Sequence, residues 1–288
     1  GSYAQARAAY LRADTNSLSA SDRRWVIFRL ADTLWRAQAN QLRNEATEQS
    51  IRELDQLAPQ EAPPVERDQV WAEVQQSLGD AHARGGDDGN WVNTRYQLAL
   101  DWWAGQRDVD LARRRYLNLV WRWQKPQANW PWARVQWGSI PLDVLNNCVR
   151  IATDPNDLAR ARYSRAVTMQ QIGGGPYPTQ QLVEDYFKAA LAPGKTTDWY
   201  DDALFRYGQW LEQAGKLTVQ PEGGWNREAD LPRALEVYRR FVGEFKAGQS
   251  RWFASAQQRI REITSPSLLV NEDQIYLPGS ENQFFLQT

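Results

Sequence analysis

Leu204-Phe205-Arg206-Tyr207-Gly208-Gln209-Trp210-Leu211, followed by Ala234 and Tyr238, is the part of the sequence that decides the fold. Leu204, Tyr207, Gly208 and Leu211 recur at three- and four-residue steps, which places them on one face of a helix. Gly208 leaves a notch in the middle of that face. Ala234 and Tyr238 lie four apart, so a second helix presents a small residue and an aromatic together. Small residues let paired helices approach closely, and the aromatic fills the hole opposite. Phe241 stands where a further small residue is expected, and Ala256 follows Ala234 by 22 positions.

The pattern recurs at the other end of the chain. Ala6, Tyr10 and Ala13 read as one helix face, and Ile27, Leu30, Ala31 and Leu34 as the next, with a step of 25 from Ala6 to Ala31. Together these positions resemble the tetratricopeptide repeat, whose period is about 34 residues. The fold class is therefore expected to be all-α. We expect an irregular tetratricopeptide-like helical-repeat solenoid with a short C-terminal β segment. The middle of the chain fits the repeat poorly, and Lys216 to Glu228 reads as an insertion between paired helices.

Between these ends the punctuation is helical. Ser21 to Leu57 carries a stripe that includes Trp25, Phe28, Leu34 and Trp35, with Asp22 placed to cap its start. Ala58 to Val65, with Pro63 and Pro64, breaks it. Helices are expected at Glu66–Arg84, Trp91–Ala104 and Asp108–Trp123, with Gly85 to Gly89 as a turn. Another is expected from Pro131 to Ile151, interrupted near Pro141. Asp154-Pro155-Asn156-Asp157 opens a helix with a capping Asp and Pro at the first position, and Gly173 to Pro176 stops it. Later helices are expected at Thr179–Leu191, Asp198–Ala214, Ala229–Phe245 and Ser250–Ile263. This gives a helical array over residues 3–264, with sub-boundaries near 58–65 and 173–178.

Composition narrows function by exclusion. The 288 residues carry 34 basic and 35 acidic side chains, a net charge of −1. Such a chain has no global field to draw it onto nucleic acid or an anionic membrane. It has one cysteine, Cys148, so no intrachain disulfide framework is possible. Its one histidine, His82, rules out any site that needs two. No run of 18 apolar residues marks a membrane span. Gly1-Ser2 reads as a cloning remnant. Arginine supplies all but five of the 34 basic residues, and tryptophan is 15 of 288.

Residues 265–288 change character. Ser265-Pro266 ends the helices. Gln274-Ile275-Tyr276-Leu277, Pro278-Gly279-Ser280 and Gln283-Phe284-Phe285-Leu286 then read as strand, turn and strand. Tyr276, Pro278, Gly279, Ser280, Glu281, Phe284 and Leu286 resemble the opening of a macroglobulin β-sandwich in the alpha-2-macroglobulin family. Asp198 to Phe205, Ala234-Leu235 and Tyr238 resemble the helical region that large bacterial members carry ahead of their β domains. The resemblance implies a helical N-terminal arm, followed from residue 265 by a linker and the start of a β-sandwich. It further implies a protease trap of the bacterial periplasm or cell surface. Cys148, in Asn146-Asn147-Cys148-Val149-Arg150, does not match the family's thioester, and no catalytic residue carries over.

Two candidate surfaces remain. Trp91, Trp102, Trp103, Trp121, Trp123, Trp130, Trp132 and Trp137 crowd into 47 residues. Trp102 and Trp103 point about 100° apart on a helix, and Trp121 and Trp123 about 200°, so one buried face does not take them all. They read either as inter-helix packing or as a platform for a peptide or glycan. Arg107, Arg113, Arg114, Arg115, Arg122 and Arg134 lie nearby, suited to stacking and to carboxylate capture. Trp102, Trp103, Arg114, Trp121, Trp123, Trp130 and Trp132 are the candidate binding surface. The expected partner is a protein or peptide, the β domains of the same full-length chain included; no cofactor, metal, nucleic acid or membrane insertion is expected. The alternative is a glycan-binding or glycan-cleaving domain that uses the Trp91–Trp137 cluster. Acid pairs at Asp87-Asp88, Asp201-Asp202 and Asp154/Asp157 read as caps, His82 as a surface residue near a helix end, and Cys148 as a buried thiol. Gly173-Gly174-Gly175 lacks the Lys-Ser or Lys-Thr of a phosphate loop.

Overall fold

The computed structural model describes residues 2–38, 44–85, 89–106, 109–123, 140–172 and 177–265. The chain divides into two compact units, Gly1–Ile172 and Gly173–Thr288. The division falls at the triglycine, whereas the Ala58–Val65 breaker lies inside the first unit.

The first unit comprises α1 (Tyr3–Tyr10), α2 (Ala20–Ala37), α3 (Glu45–Leu57), α4 (Gln69–Gly85), α5 (Gly89–Gly105), α6 (Asp110–Trp123), α7 (Leu142–Ile151) and α8 (Pro155–Ile172). Each helix packs on its sequence neighbour, and α2 also meets α4. This is the all-α, repeat-like array expected from the sequence. The long Ser21–Leu57 helical stretch is two helices, α2 and α3. The α2 cap is Ser19 rather than Asp22. Ser19 Oγ accepts from the Asp22 backbone N–H at 3.1 Å and donates to the Asp22 carboxylate at 2.7 Å. The acid thus occupies the third helical position of a reciprocal capping pair. Asp154 caps α8 as expected, accepting from the backbone N–H groups of Asn156 and Asp157 at 2.9 and 3.1 Å.

The middle of this unit holds a repeat pair that spacing alone hides. Gly79 of α4 faces Tyr96 of α5, and a Cβ on Gly79 would lie 2.6 Å from two carbons of the Tyr96 ring. Val92, Tyr96, Ala99 and Trp103 form the buried stripe of α5. The surrounding core includes Trp35, Leu54, Trp71, Leu78 and Leu100. Each such side chain contributes roughly 1.5–3 kcal/mol by leaving water.

The second unit comprises α9 (Tyr177–Leu191), α10 (Tyr200–Ala214), β1 (Lys216–Val219), β2 (Trp225–Glu228), α11 (Leu231–Glu244) and α12 (Phe253–Thr264). Here α10 and α11 are the pair expected from Gly208 and Tyr238. A Cβ on Gly208 would lie 2.7 Å from Tyr238 Cε1. Leu204, Leu211, Ala234, Tyr238, Phe241 and Ala256 are all buried.

The insertion is an antiparallel hairpin in which Lys216 faces Glu228 and Val219 faces Trp225. Gly223 takes a positive φ of +86° in its loop, a conformation that favours glycine. The hairpin leaves the helix pair intact, because Gly215 N–H and Asp230 N–H both donate to the Leu211 carbonyl, at 3.1 and 2.8 Å. The chain therefore departs from and returns to the end of α10. Tyr96 follows Gly79 by 17 positions, and Tyr238 follows Gly208 by 30; the 13 hairpin residues are the difference. The expected β tail, residues 266–288, lies outside the described residues.

Candidate interaction site

The tryptophans of the candidate surface divide by position. Trp103, Trp121 and Trp123 are buried. Trp121 Nε1 donates to Asp157 at 2.9 Å, under the Arg160 guanidinium, which lies 4.4 Å from the ring centroid. Trp123 Nε1 donates to Asn93 at 3.0 Å. Trp102 is half-buried, meets Trp103 edge-on at 4.8 Å, and donates to the Arg67 carbonyl at 2.9 Å. These four hold helices together, which corrects the binding-surface expectation for Trp103, Trp121 and Trp123. The divergent indoles of Trp102, Trp121 and Trp123 each donate to a group outside their own helix, whereas Trp103 Nε1 has no acceptor among the described residues. Arg114 is exposed, while Arg113 pairs with Asp110, Arg115 with Glu73 and Arg122 with Asp80. Trp130, Trp132, Trp137, Arg107 and Arg134 lie outside the described residues, as do Asp87, Asp88 and Gly173 to Gly175.

The acid pairs serve packing. Asp202 accepts from Trp252 Nε1 at 2.7 Å and pairs with Arg251, and Asp201 accepts from Ser250 Oγ at 2.6 Å. Cys148 is fully buried, and burial pushes its thiol well above the usual range. Among the described residues no group of three His, Cys, Asp or Glu is arranged to hold a metal. No described helix is long and apolar enough to cross a membrane.

Four tyrosines latch neighbouring helices through a carboxylate and an arginine. Tyr96 donates to Asp80 at 2.8 Å, and Arg36 and Arg122 neutralise that acid. Tyr238 donates to Glu212, which pairs with Arg259. Tyr207 meets Glu184 and Arg233, and Tyr200 meets Glu244 and Arg240. Burial, together with the adjacent carboxylates, pushes Tyr200 and Tyr207 up to about 12. These phenols therefore remain donors at any physiological pH.

Trp91 is the exception among the described tryptophans of the cluster. It stands 54% exposed, with one face stacked on His82 at 6.1 Å and 29° between planes. It lines a cleft of about 420 Å³ together with Asp55, Pro59, Gln60, Glu61, Asn90, Thr94 and Arg95. Trp91, Thr94 and Arg95 share one face of α5, at i, i+3 and i+4, flanking the buried Tyr96 stripe, with the buried Arg95 at the border between the two. Pro59 to Glu61 belong to the proline-rich break, which turns the chain across the end of α3. Arg95 is only 4% exposed and donates to Asp55 at 2.6 Å and to Gln75 at 2.7 Å, while its Nε has no acceptor among the described residues. Sequence reading placed Trp91 in the cluster but did not single out Asp55, Glu61 or Arg95. The only available signal was that Trp91 falls off the Val92–Tyr96–Ala99 stripe. No protein-family model, curated protein or solved structure matches this chain.

Proposed function

We propose that the chain is a non-catalytic protein-interaction scaffold, the N-terminal helical arm of a macroglobulin-like protease-trapping protein of the bacterial periplasm or cell surface. One observation carries the scaffold reading. Trp103, Trp121 and Trp123 are spent on helix packing, while Trp91 alone among the described cluster tryptophans opens onto a cleft. An open cleft in the packed helices of the first unit is suited to holding a protein segment. Placement in a protease trap rests on the resemblance at Tyr276 to Leu286 and at Asp198 to Tyr238.

The test uses the full-length protein with a general protease, followed by mass-resolved cleavage mapping and pull-down. Retention of the protease in complex is expected. Digestion with no retained protease would refute the trap and leave only the scaffold.

The glycan alternative draws on the same cleft, where an exposed indole stands with Asp55 and Glu61. A glycosidase needs one of two carboxyls available as an acid across from the other. Asp55 is instead engaged with the Arg95 guanidinium. Screening against oligosaccharides separates the two readings.

A further inference from the structure

The geometry points to the Asp55–Glu61–Trp91 cleft as a receptor for a cationic side chain, an arginine or lysine on an extended segment of a protein partner. The inference rests on the scaffold reading and specifies its partner's chemistry.

Charge comes first. The cleft holds two carboxylates, Asp55 and Glu61, against one guanidinium, Arg95. The Asp55–Arg95 pair is satisfied internally at 2.6 Å. Glu61 is exposed and contributes the remaining negative charge. An anionic ligand would meet that carboxylate without compensation, whereas a cation is attracted. Shape comes second. Trp91 offers an indole with one face supported by His82 and more than half its surface open. An indole face is the best aromatic partner for a guanidinium or ammonium group. Hydrogen bonding comes third. Asn90, Thr94 and Gln60 supply neutral donors and acceptors around the rim, suited to a peptide backbone. An apolar stem along Trp91 with a charged head toward Glu61 fits the charge and the shape, and the rim groups suit the backbone on either side.

The chain is titrated with a fluorescein-labelled, end-capped peptide carrying two arginines in a glycine-serine frame, and with its citrulline counterpart. Citrulline keeps the shape and removes the charge. Binding of the arginine peptide is expected, at least tenfold tighter than the citrulline form and weakened by salt. Trp91→Ala and Glu61→Gln should each weaken it at least fivefold. Both residues are exposed, so melting temperatures stay near that of the parent and confirm folding. Equal affinity for the citrulline peptide overturns the proposal. So does parent-like binding by both variants, an absence of binding at millimolar peptide, or selective binding of an oligosaccharide that Trp91→Ala abolishes. The trapping experiment reads the broader proposal separately. If the full-length protein retains a protease and Trp91→Ala with Glu61→Gln makes no difference, the cleft loses its role while the arm stands. If trapping fails and peptide binding holds, the reverse follows.

Discussion

Gly208→Ala tests the packing on which the fold depends. Position 208 is helical, so alanine should gain about 1 kcal/mol from propensity alone. The structure argues that packing reverses this sign. The new Cβ would sit 2.7, 3.0 and 3.1 Å from three carbons of the Tyr238 ring. That ring is not a loose side-chain end, because its hydroxyl donates to Glu212 at 2.9 Å and its edge packs near Phe205, with centroids 5.8 Å apart. Forcing a methyl group into such a contact costs roughly 1–3 kcal/mol. The expected net loss is about 1 kcal/mol, on the order of 4–8 °C for a unit of this size. Gly243→Ala, also in a helix but with nothing within 4 Å of its new Cβ, should instead stabilise by about 0.5–1 kcal/mol. Thermal and urea unfolding by circular dichroism, with the two variants side by side, isolates the packing component. Gly79→Ala should repeat the loss against Tyr96. If Gly208→Ala gains as much as Gly243→Ala, the close approach contributes nothing and the repeat assignment falls.

Further outcomes follow from the same contacts. Trp121→Ala should destabilise the first unit by about 3–5 kcal/mol, read as a lowered melting temperature; an unchanged melt would show that Trp121 is not core. Cys148 should resist iodoacetamide at pH 8 in the native chain and react after denaturation, read by intact mass; rapid native labelling would contradict its burial. Burial alone would raise the Glu184 carboxyl, yet hydrogen bonds from Lys188 and Arg233 outweigh it and hold the group below the usual range. Its stabilising contribution is therefore present above the unfolded glutamate value of about 4.3 and is lost as pH falls through the lower folded value. Glu184→Gln should flatten that acid limb of urea stability, and an unchanged limb would refute the assignment. Replacing Leu217 to Arg227 with a short Gly-Ser turn should leave the α10–α11 pair folded, since Leu211 already closes it; loss of cooperative unfolding would show the hairpin to be structural.

The helices were legible because helix signals are local. The Asp154-Pro155 start, the Ala58–Val65 break and the apolar stripes all act within a few residues. The Gly208–Tyr238 pair was legible because a small residue and an aromatic stood at recognisable positions. Gly79–Tyr96 is the same device and went unread because Gly79 sits in a polar run, Gln75-Gln76-Ser77-Leu78-Gly79-Asp80, which does not look like a buried face. Gln75 and Ser77 are nevertheless buried. Gln75 is satisfied by Arg95 and the Ala58 carbonyl, and Ser77 by Trp35 and Asp32. Such pairings come from other helices, and no local pattern announces them. The cleft was hidden for the same reason: Asp55 and Arg95 lie 40 positions apart.

Those long-range pairings also give several of the arginines a structural role. The two close approaches at Gly79 and Gly208 each set a tyrosine opposite a glycine. A buried phenol must donate a hydrogen bond or lose about 1–3 kcal/mol. A carboxylate on the neighbouring helix accepts it, and that carboxylate in turn requires a cation. Arginine answers better than lysine, because its planar fork reaches two groups in fixed directions. Arg36 bridges Asp32 and Asp80, Arg95 bridges Asp55 and Gln75, and Arg233 meets both Glu184 and the Tyr207 hydroxyl. A lysine at any of these positions would keep the charge and lose the bridge. Part of the arginine content is thus given structural work by these latches. Arg36→Lys, Arg95→Lys and Arg233→Lys are accordingly not conservative substitutions in this chain.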